Sequence, residues 1–375
     1  MKRRAIYLLT AVAVAVLLST SVGLAESPSG SQQQTSTGRD PSVTVMTRNV
    51  YHGVDAELAR VATASSFPAF LDATAAVYSG YHERNFPERA AVLAAEIEAT
   101  QPDVVGLQEA VMVRKDTPAD GPASPAEEVS LDYLQILLDK LQARGLNYTP
   151  IVQSINWDIE VPTSQGFDVR HTDRIVTLIR THGKSGLKVL GTNSDHFATN
   201  CELTTATGQQ IEIVRGWTSV DLSIQGEAVR FIDTHLDGDC SDPAIQLAQA
   251  QEILQGPVQD ARNKHLPVIL LGDLNSKADG TGTPTYAELL KPEVGFVDAW
   301  AEEGRGPGFT CCQDDDLLNA ESHLSDRRDF VLFANGSFQA TDAEVVGANP
   351  ADRTPSGLWP SDHAGVVAKL RLALE

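Results

Sequence analysis

Four apolar runs in the sequence end directly in residues that can bind a cation or move a proton. Val43-Thr-Val-Met-Thr-Arg48 runs into Asn49, and Val104-Val-Gly-Leu-Gln108 into Glu109. Val229-Arg-Phe-Ile-Asp-Thr234 runs into His235, and Val268-Ile-Leu-Leu-Gly272 into Asp273 and Asn275. A further pair, Asp362-His363, stands just before the last apolar run. A single polar ending is what any loop begins with. Four such endings in carboxylate, amide and imidazole types imply that one rim of a sheet carries a site.

These types suit the hydrolysis of a phosphodiester, which needs a cation on the phosphate, a base for water and a donor for the leaving oxygen. Hard cations such as Mg²⁺ prefer oxygen ligands, and Asn49, Glu109 and Asp362 supply them. Asp273 is placed to take a proton from water, with Asn275 pointing the same way along an extended chain. His235 and His363 can donate to phosphate oxygens or protonate a leaving group.

The elements that must position these residues read as strands alternating with helices. Ser42–Thr47, Asp103–Leu107, Arg174–Arg180, Pro267–Leu271, Phe330–Phe333 and Val366–Leu372 are strand-like. Ile211–Asp221 and Ala228–Asp233 form a predicted hairpin across Ser223–Glu227. Glu88–Ala99, Glu128–Arg144 and Asp242–Lys264 have helical spacing. In the second of these, Leu131, Leu134, Leu137, Leu138 and Leu141 make one core stripe. Lys115–Ala126, rich in Pro, Asp and Gly, reads as a surface insertion.

Residues 1–25 have the form of a secretory signal peptide: Lys2, Arg3 and Arg4, an apolar run, then small residues up to Ala25. The run is shorter than the roughly 20 residues that span a bilayer, so a mature chain without a membrane anchor is expected. Residues 26–41 read as a flexible linker and 42–375 as one catalytic domain. The formal charge is −21, and −24 once Lys2, Arg3 and Arg4 are removed. That balance argues against stable binding of duplex DNA. The cysteines Cys201, Cys240, Cys311 and Cys312 suit disulfides in an exported chain. A bond between the adjacent pair would be strained, so Cys201 and Cys240 are expected either to reach one of them each or to pair together.

The ordered set Asn49-Val-Tyr-His-Gly53, Gln108-Glu109, Thr234-His235, Gly272-Asp-Leu-Asn275, Arg328-Asp-Phe330 and Ser361-Asp-His363 resembles the signature of the endonuclease/exonuclease/phosphatase superfamily. The resemblance runs from about Val43 to the C-terminus. It implies an α/β fold, a four-layer α/β/β/α sandwich of two packed mixed sheets flanked by helices. It implies Glu109 as principal metal ligand with Asn49 and Asp362 beside it, and Mg²⁺, or else Mn²⁺ or Ca²⁺, as cofactor. Asp273 would activate water, Asn275 hold the phosphate, and Asp329 orient His363. His235 would be the second imidazole, with Asp173 at the head of its strand orienting it.

Departures bear on the substrate. Tyr51 stands where abasic-site enzymes carry an acid, and His235 is followed by Leu236-Asp-Gly-Asp-Cys240 rather than the Gln-Ala of sphingomyelinase-like members. Gly308-Phe-Thr-Cys-Cys-Gln313 resembles exported bacterial members, and Asp314-Asp315-Asp316 would repel a polyanion at the groove. The expectation is a secreted phosphohydrolase acting on nucleic acid first, on a phospholipid or sphingomyelin headgroup second, and on a phosphoinositide third. A catalytically silent binding module on the same fold is the alternative of another class. No Gly-x-Ser-x-Gly supports a serine hydrolase. His52, His82, His171, His182, His196, His265 and His323 fit no ligand spacing and read as surface or loop residues. Trp157 and Tyr51 are packing residues or stacking platforms, and Asp237 and Asp239 a solvated turn.

Overall fold

Strands that end in functional groups can share a site only if their ends line up, and the computed structural model shows how they do. It describes residues 41–121, 124–181, 187–204, 208 and 210–373. The signal peptide, the linker up to residue 40 and His182 lie outside the described residues. No helix among the described residues is long and apolar enough to cross a membrane.

The chain opens with β1 (Ser42–Asn49), then α1 (Asp55–Ala62), α2 (Phe67–Glu83) and α3 (Phe86–Thr100). Next come β2 (Val104–Gln108), β3 (Met112–Asp116), β4 (Glu128–Asp132) and α4 (Tyr133–Ala143). Two long strands follow, β5 (Tyr148–Pro162) and β6 (Asp168–Arg180), then β7 (Lys188–His196), β8 (Cys201–Thr204) and β9 (Gln210–Ile213). After β10 (Gly216–Ile224) and β11 (Glu227–His235), α5 (Pro243–Ile253) and α6 (Gln259–Asn263) lead into β12 (Val268–Asp273). The last third holds α7 (Thr285–Leu289), β13 (Phe296–Asp298), α8 (Ala299–Glu303), β14 (Asp329–Ala334), β15 (Phe338–Val346) and β16 (Gly365–Leu372).

One sheet has the order β15-β16-β1-β2-β6-β3-β4, with β5 on the other edge of β6. The second has the order β13-β14-β12-β11-β10-β7, and β8-β9 form a separate hairpin. The fold is the expected four-layer sandwich. Alternation along each strand builds it. Val43 and Val45 of β1, Phe231 of β11, Leu271 of β12 and Val331 of β14 interdigitate between the sheets. Met46, Val105, Leu107 and Leu178 face the other way, onto Phe86, Leu93 and Ile97 of α3 and Leu134, Leu137 and Leu141 of α4. Ile232, Leu270 and Leu332 pack on Ile253, Val258 and Leu289 outside the second sheet. Gly106 is required between the sheets, where an added Cβ would lie 2.0 Å from Leu271 Cδ1.

Three elements differ from the sequence reading. Glu128–Asp132 is an edge strand on β3, not the first turn of a helix. Asp132 ends that strand by accepting from Gln135 N at 3.3 Å, which caps α4 at Tyr133. Leu131 therefore reaches the leucine core from a strand. The run Ile211–Asp221 breaks at Val214-Arg215 into β9 and β10. The helix expected over Asp242–Lys264 is interrupted by a π-type turn at Leu254–Val258, where Pro257 has no N–H to donate.

Candidate active site

The same alternation that fills the core aims the polar strand ends. Asn49 keeps the parity of Val43 and Val45, Asp273 that of Leu271, His235 that of Phe231, and Asp329 that of Val331. Each side chain therefore emerges in the layer between the sheets, where the apolar filling stops. Register completes the alignment: Asp329 pairs with Asp273, Asp273 with His235, and His235 with Gly216, one row across four strands. Asn49 and Gln108 form the facing row. Beneath them lies a buried polar layer. Gln108 Nε2 donates to Asp233 Oδ1 at 2.7 Å and Thr47 Oγ1 to Gln108 Oε1 at 3.3 Å. Burial raises the Asp233 pKa well above the carboxylate range, against the hydrogen bonds from Gln108 and Thr234 N.

The loops beyond the strands are clamped by buried arginines. Arg89 donates to the carbonyls of Val50, Tyr51 and Pro360 at 2.8, 2.9 and 2.9 Å, joining the exit of β1 to the approach of Asp362-His363. Arg48 donates to the His363 carbonyl and pairs with Glu96 at 3.0 Å. Ser361 Oγ donates to the Asn49 carbonyl at 2.8 Å. Glu109 and Asn275 have φ of 58° and 50°, left-handed conformations that cost energy and concentrate at functional sites.

Asn49 Nδ2 donates to Glu109 Oε1 at 2.9 Å and to Asp273 Oδ2 at 3.1 Å, while its Oδ1 accepts from Tyr51 N at 2.9 Å. Asn49 thus bridges the two carboxylates through its amide. Glu109 Oε2 accepts from His52 N at 2.7 Å. Burial, with Glu109 and Asp55 nearby and His363 opposing, pushes Asp362 up to about 7. Burial and Asp329, again opposed by His363, push Asp273 up to about 6. Asp362, held reluctantly ionised by burial, and the neighbouring Glu109 carboxylate could supply oxygen ligands to a hard divalent cation.

The two imidazoles differ in charge. His363 Nδ1 donates to Asp329 Oδ2 at 2.8 Å and lies 3.7 Å from Asp273 Oδ2. Burial lowers its pKa, but Asp329, Asp273 and Asp362 outweigh that and hold it well above the usual value. His235 is the reverse: burial and the Arg215 guanidinium hold it well below 6.5. Arg215 donates to His235 Nδ1 at 2.8 Å, while Nε2 lies 3.1 Å from Asn275 Nδ2 and 3.5 Å from Asp273 Oδ2. Asp173 does not orient His235; it accepts from Asn156 Nδ2 at 3.2 Å. Arg215 holds that ring instead. Asn275 is not extended but closes an Asx turn, its N donating to Asp273 Oδ1 at 2.8 Å and its Nδ2 to the Leu236 carbonyl at 3.0 Å.

Several residues were missed. Arg215, beside Asp239 at 2.8 Å, sits at the break between β9 and β10, where an arginine interrupts a β-branched run. His52 lines the cavity, with Nε2 at 3.0 Å from Asp55; burial lowers it, but Glu109 and Asp55 push it up to about 10. Its clue was its place inside the Asn49–Gly53 motif. His171 is buried against Tyr81 and Trp157 and held well below its usual value by burial. Tyr51 packs with Leu317, Leu358 and Trp359, whereas Trp157 faces the cavity. Asp237 is buried and accepts from Cys240 N at 3.1 Å. Cys201 bonds to Cys240, one of the two arrangements expected, and Cys311 is joined to Cys312, the pairing the sequence reading disfavoured. Cys312 Sγ lies 3.8 Å from His363 Nε2.

A two-sheet sandwich whose strand ends bring together buried carboxylates and an aspartate–histidine pair defines a hydrolase of the phosphoester class. The chain belongs to the endonuclease/exonuclease/phosphatase family, whose profile matches residues 49–363. A family member from Bacteroides thetaiotaomicron is similar in structure, 16% identical with a TM-score of 0.57 over 90% of this chain and 100% of that one. A mannosyl-6-phosphatase from the same organism is 15% identical, with a TM-score of 0.54 over 88% of this chain and 100% of that one. TDP2 from D. rerio, complexed with a single-strand DNA product, is 17% identical, with a TM-score of 0.53 over 88% of this chain and 100% of that one. No curated protein matches by sequence.

Proposed function

We propose that this protein hydrolyses phosphate esters by in-line attack of water, with Asp273 as base, His363 as imidazolium donor and a divalent cation held by Glu109 and Asp362. The observation that carries this is geometric: His363, bonded to Asp329 at 2.8 Å, lies 3.7 Å from Asp273, and Asn49 links Asp273 to Glu109 at 3.1 and 2.9 Å. Asp273, pushed up to about 6, is an ionised acceptor at neutral pH with appreciable basicity, while His363 keeps its proton. Asp329 fixes Nδ1 of His363, leaving Nε2–H for a phosphate oxygen. His235 and Asn275 stand beside Asp273, where they would position the phosphate. Bound at the carboxylates, Mg²⁺ (or Mn²⁺ or Ca²⁺) would neutralise phosphate charge and stabilise the charge that develops in the transition state. Export from the cell is part of this proposal and rests on the leader-like residues 1–25.

The cavity lining favours a small or amphiphilic ester over the polynucleotide expected from the sequence. Its two arginines are both engaged, Arg215 with Asp239 at 2.8 Å and Arg328 with Asp326 at 2.6 Å, and Asp55 faces the same space. A polynucleotide backbone needs a row of available cations. The test compares the protein with its Glu109→Ala and His363→Ala variants on bis-p-nitrophenyl phosphate and p-nitrophenyl phosphate, in Mg²⁺ and in EDTA. Loss of at least about 100-fold in each variant and in chelator is expected. Undiminished turnover in EDTA and in both variants would refute the assignment.

A further inference from the structure

The cavity that holds the site extends well past it. Its volume is about 450 Å³, and beyond Glu109, Asp273 and His363 its lining turns apolar. The second sheet ends at the row from Gly216 to Asp329, but β5 and β6 run on. On that overhang Ile159 pairs with His171 and Val161 with Val169. The face that packs against the second sheet elsewhere here becomes a cavity floor. Helix α1 supplies one wall through Leu58 and Val61, and the β8-β9 hairpin supplies another through Leu203 and Ile211. Trp157, Ile159, Leu203 and Ile211 belong to none of the four apolar clusters, and all are half-buried. Apolar side chains from separate elements, turned to a cavity rather than into the core, are the usual lining of a ligand subsite.

We infer that this trough holds a hydrocarbon chain of the substrate, so that the protein acts on phosphate esters bearing an alkyl or acyl chain. The inference rests on the phosphoesterase reading above and names the substrate class of that same site. Continuity decides the occupant: trough and catalytic residues line one cavity, so a molecule with its phosphate at Glu109 and His363 must extend along the apolar floor or out into water. Charge decides against a nucleic acid there. The cations near the junction are already paired, Arg215 with Asp239 at 2.8 Å and His52 with Asp55 at 3.0 Å, so neither is free for a second phosphate.

Binding of methyl-, butyl-, octyl- and dodecylphosphonate to the full protein in Mg²⁺, below their aggregation concentrations, reads the trough without turnover. Each buried methylene should tighten Kd by about twofold to fourfold until the trough is full. Leu58→Asn and Ile159→Asn, on wall and floor, should each reduce the octyl-to-methyl affinity ratio by about tenfold. A Kd independent of chain length would overturn the assignment, as would faster turnover of a DNA oligonucleotide than of octyl p-nitrophenyl phosphate. Self-association that dodecylphosphonate does not disperse would give the trough to a second copy of the chain. Chain-length-dependent binding without hydrolysis of any alkyl p-nitrophenyl phosphate would sink the hydrolase reading and leave the trough assignment standing.

Discussion

Replacing Asp329 by Asn tests whether His363 works as an imidazolium. The carboxylate lies 2.8 Å from Nδ1, and both residues are buried. An amide in the same place keeps an acceptor oxygen for Nδ1–H and removes the charge. A charge separation of about 4 Å at an effective dielectric constant of about 20 corresponds to about 4 kcal/mol, or about 3 pH units in the pKa of the ring. Asp273 and Asp362 still support the charged form. A fall toward the pKa of a free imidazole is therefore expected.

The assay is kcat/KM for bis-p-nitrophenyl phosphate in Mg²⁺ from about pH 5 to about pH 10, alongside the NMR titration of His363. The acidic limb, set by Asp273, should move to lower pH, because Asp329 is one of the charges that raise it. The basic limb should move down, with a loss of up to about 30-fold near pH 8, the limit set by a free imidazole. Stability should change little. Asp329 Oδ1 has no protein partner, so the new N–H placed there costs about 1 kcal/mol. An unchanged basic limb with an unchanged His363 titration would refute the reasoning, because the charge of Asp329 would then play no part.

Asp273 and Asp362, pushed up to about 6 and about 7, bind protons more tightly folded than unfolded. Stability of the metal-free protein should therefore fall as pH rises from about 4 to about 7, by about 3 kcal/mol for Asp273 alone. Mg²⁺ should raise Tm more at pH 7.5 than at pH 5.5, measured by scanning fluorimetry; equal shifts would count against carboxylates as the ligands. Arg89→Met should cost about 3 kcal/mol or more in urea unfolding, because it strands three buried carbonyls around the site. A loss below about 1 kcal/mol would show that those loops are held by other contacts.

The strand ends were legible because burial and function leave different marks on one strand. An apolar run that stops at an amide or carboxylate is visible at Val268–Asp273 whatever its neighbours do. The shell around them was harder to read. Arg215 and His52 act through partners distant in sequence or hidden in turns, Arg215 through His235 and Asp173, and His52 through Glu109. Helix α2 was missed because its apolar residues serve two surroundings, Val77 and Tyr81 in the core and Phe70 toward the trough, so no clean stripe results. In β5, Pro150 and Pro162 with Asp158 and Glu160 hide a strand whose Trp157, Ile159 and Val161 line the trough. Asp158 faces away to pair with Arg170 and Thr172.

The distribution of these legible and illegible parts follows from how the sandwich is held together. The row Gly216, His235, Asp273 and Asp329 is fixed by main-chain ladders, and a slip of one residue would turn its side chains toward the outer helices. Such a slip would also expose Phe231, Leu271 and Val331, so the packing that stabilises the fold enforces the catalytic geometry. Gly272 adds a further lock, since a Cβ there would lie 2.0 Å from the Thr234 carbonyl oxygen. No ladder reaches across the trough. Its walls come from α1 and from the β8-β9 hairpin, which pairs with neither large sheet. Substitutions there change the lining without shifting His235 or Asp273. Chemistry therefore rests on the ladders and substrate choice on the attached walls, and changes at Leu58 or Ile211 should alter which ester is taken before they alter how it is cleaved.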